Sequence, residues 1–153
     1  MPSNDPETLG IIGAIYKRLF ALNNDLEFLN RAIYNYKKGW NISENYYTGE
    51  NYAFCLNLKA SKIQQENEII YCNFEAQKTR EVIIQNLEVL IADDEFENRL
   101  DIKWIYATLS HCYLAISNDE KAKQFEKEFL MNSLDWEKET FENSKIQLLD
   151  ILN

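Results

Sequence analysis

The amino-acid sequence predicts an all-α fold, and three observations carry that expectation. The 153 residues include 4 glycines and 2 prolines, and both prolines fall within the first six positions. So few breakers favour long helices over a turn-rich β fold. Apolar residues recur by threes and fours, most plainly at Ile102, Ile105, Leu109, Cys112 and Ile116, which form one stripe on a helix. Short polar breaks such as Ser117-Asn118-Asp119 separate the stripes, and Asn118 or Asp119 can cap the next helix.

In chain order, Asn4-Asp5-Pro6-Glu7 opens the first helix with a capping side chain, Pro at the first position and an acid near the positive dipole end. It runs to about Leu22, with Leu9, Ile12, Tyr16, Leu19 and Phe20 apolar. Gly10 and Gly13 cost it about 1 kcal/mol each against Ala, which fits a face closely covered by another helix. Asn23-Asn24-Asp25 breaks the pattern. The second helix covers Asp25 to Lys38, carries Leu26, Leu29, Ile33, Tyr36 and Trp40 on its repeat, and ends at Gly39. A loop at Asn41 to Asn45, capped by Ser43 or Asn45, leads to a third helix from about Tyr47 to Gln64. Ala53, Leu56, Ala60 and Ile63 face inward on it.

After a weak break at Gln65-Glu66-Asn67, Ile69 to Ala92 reads as one long helix with Ile69, Phe74, Ile83, Leu87 and Leu90 apolar. Its polar middle, Glu75 to Arg80, is a place for a kink. Phe96 to Ile116 forms the fifth helix, and the sixth, with Ala122, Phe125 and Phe129, reaches about Met131. Ser133 or Asp135 caps a last helix ending near Leu152, with Glu137 in its first turn. Lys138 stands where Asp135 would want Glu or Gln, so no full capping box forms. Trp136, Phe141, Leu148 and Leu152 are expected to pack on the sixth helix. The sum is about seven helices, in three hairpins plus a lone terminal helix, within a single domain over residues 1–153.

That length buries a proper core without metal or disulfide staples. A net charge of −9 repels phosphate backbones and anionic membrane surfaces, so nucleic acid and membrane are not expected partners. Met1-Pro2-Ser3-Asn4-Asp5 lacks the pattern of an export signal, and no apolar run approaches the roughly 20 residues of a membrane helix. Cys55, Cys72 and Cys112 are odd in number and widely spaced, as expected of reduced, mostly buried thiols in a cytoplasmic protein.

Leu109, Ser110, Tyr113 and Ala122 sit at the spacings of the tetratricopeptide signature: large, small, aromatic, then small after the turn. Nearer the start, Leu9-Gly10-Ile11-Ile12-Gly13-Ala14-Ile15-Tyr16-Lys17-Arg18-Leu19 is followed by Asp25, Leu29, Ala32-Ile33 and Tyr36, then by Tyr46-Tyr47-Thr48-Gly49-Glu50-Asn51 and Ala53. Over residues 7–63 this ordered set resembles the TRAFs-binding domain, a tetratricopeptide-type region of stress-activated kinase kinase kinases that also occurs in bacterial proteins. The resemblance implies a right-handed α-solenoid of about three hairpins closed by a C-terminal capping helix, and it implies protein binding. The first hairpin departs from the plain repeat: Ala32 lies seven residues farther from Tyr16 than Ala122 lies from Tyr113. Seven residues are about two helical turns, so the hairpin lengthens without rotating its faces.

No catalytic constellation emerges. The lone His111 is adjacent to Cys112 on a helix, where neighbours point about 100° apart and do not form a nucleophile–base pair. Dispersed cysteines and one histidine make poor zinc ligands, and acid pairs such as Asp93-Asp94 fall at helix ends as solvated caps. No Gly-rich phosphate loop, H-R-D or D-F-G is present. No enzyme activity, cofactor or metal is expected. The aromatics around Tyr47 and Phe54 are first of all packing residues. Their alternative is a ligand surface, because the first helix of each tetratricopeptide hairpin lines the groove. Candidate groove residues are Lys17, Arg18, Tyr47, Asn51, Phe54, Lys103 and Trp104. Asn51 lies two residues before the small Ala53, where peptide-clamping repeats carry an asparagine. Gly10, Ala14, Trp104 and Thr108 occupy places where a carboxylate clamp wants basic and amide side chains. The expected function is a non-enzymatic scaffold for a protein or peptide, acting as monomer or homodimer. The alternative is a self-assembling or regulatory module paired with separately encoded effector domains.

Overall fold

Four of the helices start where a side-chain oxygen holds one of their first unpaired amides. The structure is a computed structural model and describes residues 3–153; Met1 and Pro2, part of the stretch read above for an export signal, lie outside the described residues. Asp5 opens α1 (Pro6–Asn23), its carboxylate accepting from the Thr8 hydroxyl at 2.7 Å and the Thr8 amide at 2.8 Å. Those two bonds hold its carboxyl below the usual aspartate range. Asp25 opens α2 (Leu26–Ser43), accepting from the Glu27 amide at 2.9 Å, and Asn45 opens α3 (Tyr46–Ala60), accepting from the Thr48 amide at 3.1 Å. A single helix, α4 (Glu66–Ile91), follows, then α5 (Ile102–Ala115), α6 (Asp119–Met131) and α7 (Asp135–Leu152). Asn118 caps α6 through the Lys121 amide at 3.2 Å. The described residues contain seven α-helices, one 3-10 turn and no strand.

Several boundaries differ from the sequence expectation, each for a local reason. Gly39 does not end α2, which continues to Ser43 and stops on left-handed Glu44, whose amide donates to the Trp40 carbonyl at 2.7 Å. The expected loop shrinks to Glu44 and Asn45, and of the two candidate caps Asn45 is the one used. α3 ends at Ala60, short of Gln64, where the Ser61 amide closes the last turn. α4 begins at Glu66 and passes unbroken through Glu75–Arg80. Phe96 begins only a 3-10 turn, Phe96–Asn98; Arg99 is extended and α5 starts at Ile102. The guanidinium of Arg99 pairs with Asp101 at 2.9 and 3.1 Å, and the buried Phe96 ring sits edge-on to Tyr106 at 5.9 Å. These contacts fix a corner where a continuous helix was expected.

The cap of α7 is Leu134, so neither Ser133 nor Asp135 serves. The Ser133 hydroxyl donates back to the Phe129 carbonyl instead. Glu137 supplies half a capping box by accepting from the Leu134 amide at 3.4 Å. Phe141 and Leu148 are buried as expected, whereas Trp136 is 61% exposed and Leu152 and Phe74 are also at the surface.

The chain divides into two compact units, Met1–Thr79 and Arg80–Asn153. In the first, α1 packs on α2 and α2 on α3 around Leu9, Phe20, Leu29, Tyr36, Trp40 and Tyr52. The Tyr52 phenol donates to Glu75 at 3.2 Å, and Asn57 bonds Asn73 at 2.9 Å. In the second, α5 packs on α6 around Ile105, Leu109, Phe125 and Phe129, and α7 lies against α5. The buried Ser110 hydroxyl donates to the Ala122 carbonyl at 2.8 Å, tying the two small residues of the signature together. Tyr113 stacks on Phe125 and its phenol donates to Glu88.

Candidate partner-binding face

Residues 10, 14 and 17 of α1 and 47, 51 and 54 of α3 recur by threes and fours, so each set lies along one helix face. The structure brings the two faces together. Lys17 donates to the Asn51 carboxamide oxygen at 3.1 Å and places its ammonium 4.3 Å from the centre of the Phe54 ring. That ring face attracts the cation and orients it. The Asn51 amide nitrogen donates to the Tyr47 carbonyl at 2.9 Å, which fixes which carboxamide end meets Lys17. Toward the start of both helices, Tyr47 covers Gly10: a Cβ there would lie 3.0 Å from the tyrosine ring. The same ring stands edge-on to buried Tyr36, with centroids 6.4 Å apart. Burial first, then the nearby Tyr47 phenol, pushes the Tyr36 phenol well above the usual tyrosine range.

Four of the seven candidate residues, Lys17, Tyr47, Asn51 and Phe54, therefore form one connected cluster. Arg18 is exposed and takes no part in it; its charge bears on the Tyr36 phenol. Lys103 and Trp104 belong to the second unit and are engaged there. The Lys103 ammonium bridges both Glu137 oxygens at 2.7 and 2.8 Å, with Glu137 fully buried at the start of α7. Trp104 lies beside it and tilts against Phe129 at 5.9 Å. Lys103 is thus a structural partner of a buried carboxylate rather than a member of the cluster on α1 and α3.

Chemically, the cluster on α1 and α3 holds and orients a cation. An ammonium has three donors, and Asn51 takes one of them. The remaining donors suit a carbonyl or carboxylate oxygen presented beside an apolar group that rests on Phe54 or Tyr47. Nothing in it pairs a nucleophile with a base. Cys55, next to Phe54, is buried; burial pushes its thiol up to about 11, with the Lys17 charge opposing. His111 lies flat on Phe141 at 4.5 Å, a packing contact. No group of three or more His, Cys, Asp or Glu side chains is placed to hold a metal among the described residues.

Glu137 is the residue that sequence reasoning missed most clearly. Its place in the first turn of α7 suggested an acid that favours the helix dipole, and only the fold shows it sealed against Lys103. A concavity of about 380 Å³ in the second unit, lined by Glu97, Ile102, Tyr106 and Glu128 among others, was likewise unforeseen.

The model of the Tetratricopeptide Repeats-Sensor family, TPR-S, matches residues 1–56. That segment contains α1, α2 and α3 as far as Leu56, and with them the whole Lys17–Asn51–Phe54 cluster. The fold is a TPR-like helical repeat. No curated protein and no solved structure matches the chain.

Proposed function

We propose that this chain is a non-enzymatic helical-repeat scaffold that binds a protein or peptide on the face built by α1 and α3. The observation that carries the reading is the Lys17–Asn51–Phe54 cluster, where a cation, a carboxamide and an aromatic converge from two helices. Such a set suits an extended segment that offers an oxygen acceptor next to an apolar side chain. The likeness of residues 7–63 to the TRAFs-binding domain points the same way, since that domain binds proteins. The family name matched by residues 1–56 contains the word sensor. It favours, as a second reading, a regulatory module that passes a binding event to separately encoded effector domains.

Cross-linked capture from extract of the source cells tests the first reading. Wild type is compared with Lys17→Glu and Asn51→Ala, and with Lys123→Glu as an exposed control on α6. A partner recovered by wild type and the control but lost by both cluster variants supports it. Equal recovery by all four chains contradicts it. For the second reading, the captured partner carries an effector activity that changes when this chain binds.

A further inference from the structure

α1 has a second face that the binding cluster does not use. Glu7, Ile11, Ile15, Arg18 and Leu22 follow one another at spacings of four, four, three and four. On an α-helix these positions fall within a sector of about 80°, directly opposite buried Leu9, Gly13 and Phe20. Ile11 is 56% exposed, Ile15 51% and Leu22 80%. Isolated exposed aliphatics are ordinary, but three on one stripe facing away from the core mark a surface for association. Glu7 and Arg18 flank the isoleucines, and neither side chain takes part in an ion pair or a side-chain hydrogen bond among the described residues.

We propose that a second copy of this chain covers this stripe, the two α1 helices packing antiparallel about a two-fold axis between Ile11 and Ile15. In an antiparallel pair, facing positions have a constant sum. Ile11 then faces the partner's Ile15, and Glu7 comes within one residue, a rise of about 1.5 Å, of the partner's Arg18. Both charge pairs form at once because the interface is isologous. A parallel pair would set Glu7 against the partner's Glu7, and Arg18 against the partner's Arg18, so the charges select the antiparallel register. The occupant is a second copy because the stripe is complementary to itself. The stripe lies on a different face of α1 from Lys17, so this pairing and the peptide reading stand or fall separately.

One helix face per copy is small beside a standard interface, so the dimer is weak, with a dissociation constant on the order of 10–100 µM. Sedimentation equilibrium of the full chain across that range tests it. The expected result is a reversible monomer–dimer equilibrium that Ile15→Glu abolishes. Glu7→Arg alone and Arg18→Glu alone each weaken it by about tenfold or more, because each sets like charges face to face. Mixing those two single variants restores association, since both cross pairs are then opposite in charge; the double swap E7R/R18E restores it in one chain. A wild-type chain that stays monomeric at all these concentrations overturns the proposal. So does a dimer untouched by Ile15→Glu, or a mixture of the two charge variants that fails to associate. Circular dichroism verifies that each variant keeps its helix content, and should Ile15→Glu unfold, the charge-variant mixture decides the matter.

Discussion

Gly13 and Gly10 stand one helical turn apart on α1 and serve different neighbours. A Cβ on Gly13 would lie 2.8 to 2.9 Å from three carbons of the Tyr36 ring, and Tyr36 is buried with no room to swing. Gly13→Ala therefore costs about 1–3 kcal/mol in overpacking, against about 1 kcal/mol gained in helix propensity. Gly10→Ala meets the half-exposed Tyr47 ring, which can pivot, so its stability stays within about 0.5 kcal/mol of wild type. Urea denaturation checks the order: Gly13→Ala below both the others. Cys55 makes a prediction in pH. Its buried thiol titrates at about 11 rather than near 9.0, so the unfolded chain loses this proton first as pH rises. The resulting stability is fully present below pH 9 and is lost between about pH 9 and 11, at up to about 1.4 kcal/mol per pH unit. Burial raises the phenols of Tyr36, Tyr52 and Tyr113 in the same direction, so the decline continues above that window. Stability curves of wild type and Cys55→Ala, measured from pH 7 to 11, should converge in shape only outside the thiol's window.

At the scale of the helix, α7 is held at its start by the Lys103–Glu137 pair and farther along by Phe141, stacked on His111 and Phe129. Lys103→Met leaves a fully buried carboxylate without its cation and should cost about 3–5 kcal/mol. Glu137→Gln removes the charge itself and should cost less. The double variant should be more stable than the sum of the singles implies, a coupling read from a four-member denaturation cycle. Much of the element order was legible because capping residues and apolar spacing agree: Asp5 before Pro6, Asp25 before α2 and Asn118 before α6 each hold an amide. The failures share a cause, which is tertiary contact overriding a local signal. Gly39 looks like a stop, yet its missing Cβ makes room for Thr48, whose Cγ2 would otherwise lie 2.8 Å away. Phe96 looks like a helix residue but is held with Tyr106 at a corner. Trp136 looks like core and faces solvent, while Glu137 looks like an acid placed only for the helix dipole and is sealed. In the candidate site, the spacing of Tyr47, Asn51 and Phe54 on one face was readable. The partner that completes it, Lys17, depends on how α1 meets α3, and the engagement of Lys103 depends on α7.

At the scale of the whole chain, a continuous α4 runs from Glu66 to Ile91 and no low-complexity linker interrupts the sequence. We propose that the 153 residues form a single cooperative domain. Trp40 reports on the first unit and Trp104 and Trp136 on the second, so tryptophan fluorescence of single-Trp variants should show the same midpoint as far-UV circular dichroism. Separate midpoints would mean two independent domains. No helix of the described residues is long and apolar enough to cross a membrane. The most direct measurement is the affinity of the captured partner for wild type and for Lys17→Glu, taken alongside their thermal midpoints. Lys17→Glu is expected to lose at least about tenfold in affinity with its midpoint little changed; equal affinities at equal stability would rule out the α1–α3 face as the binding site.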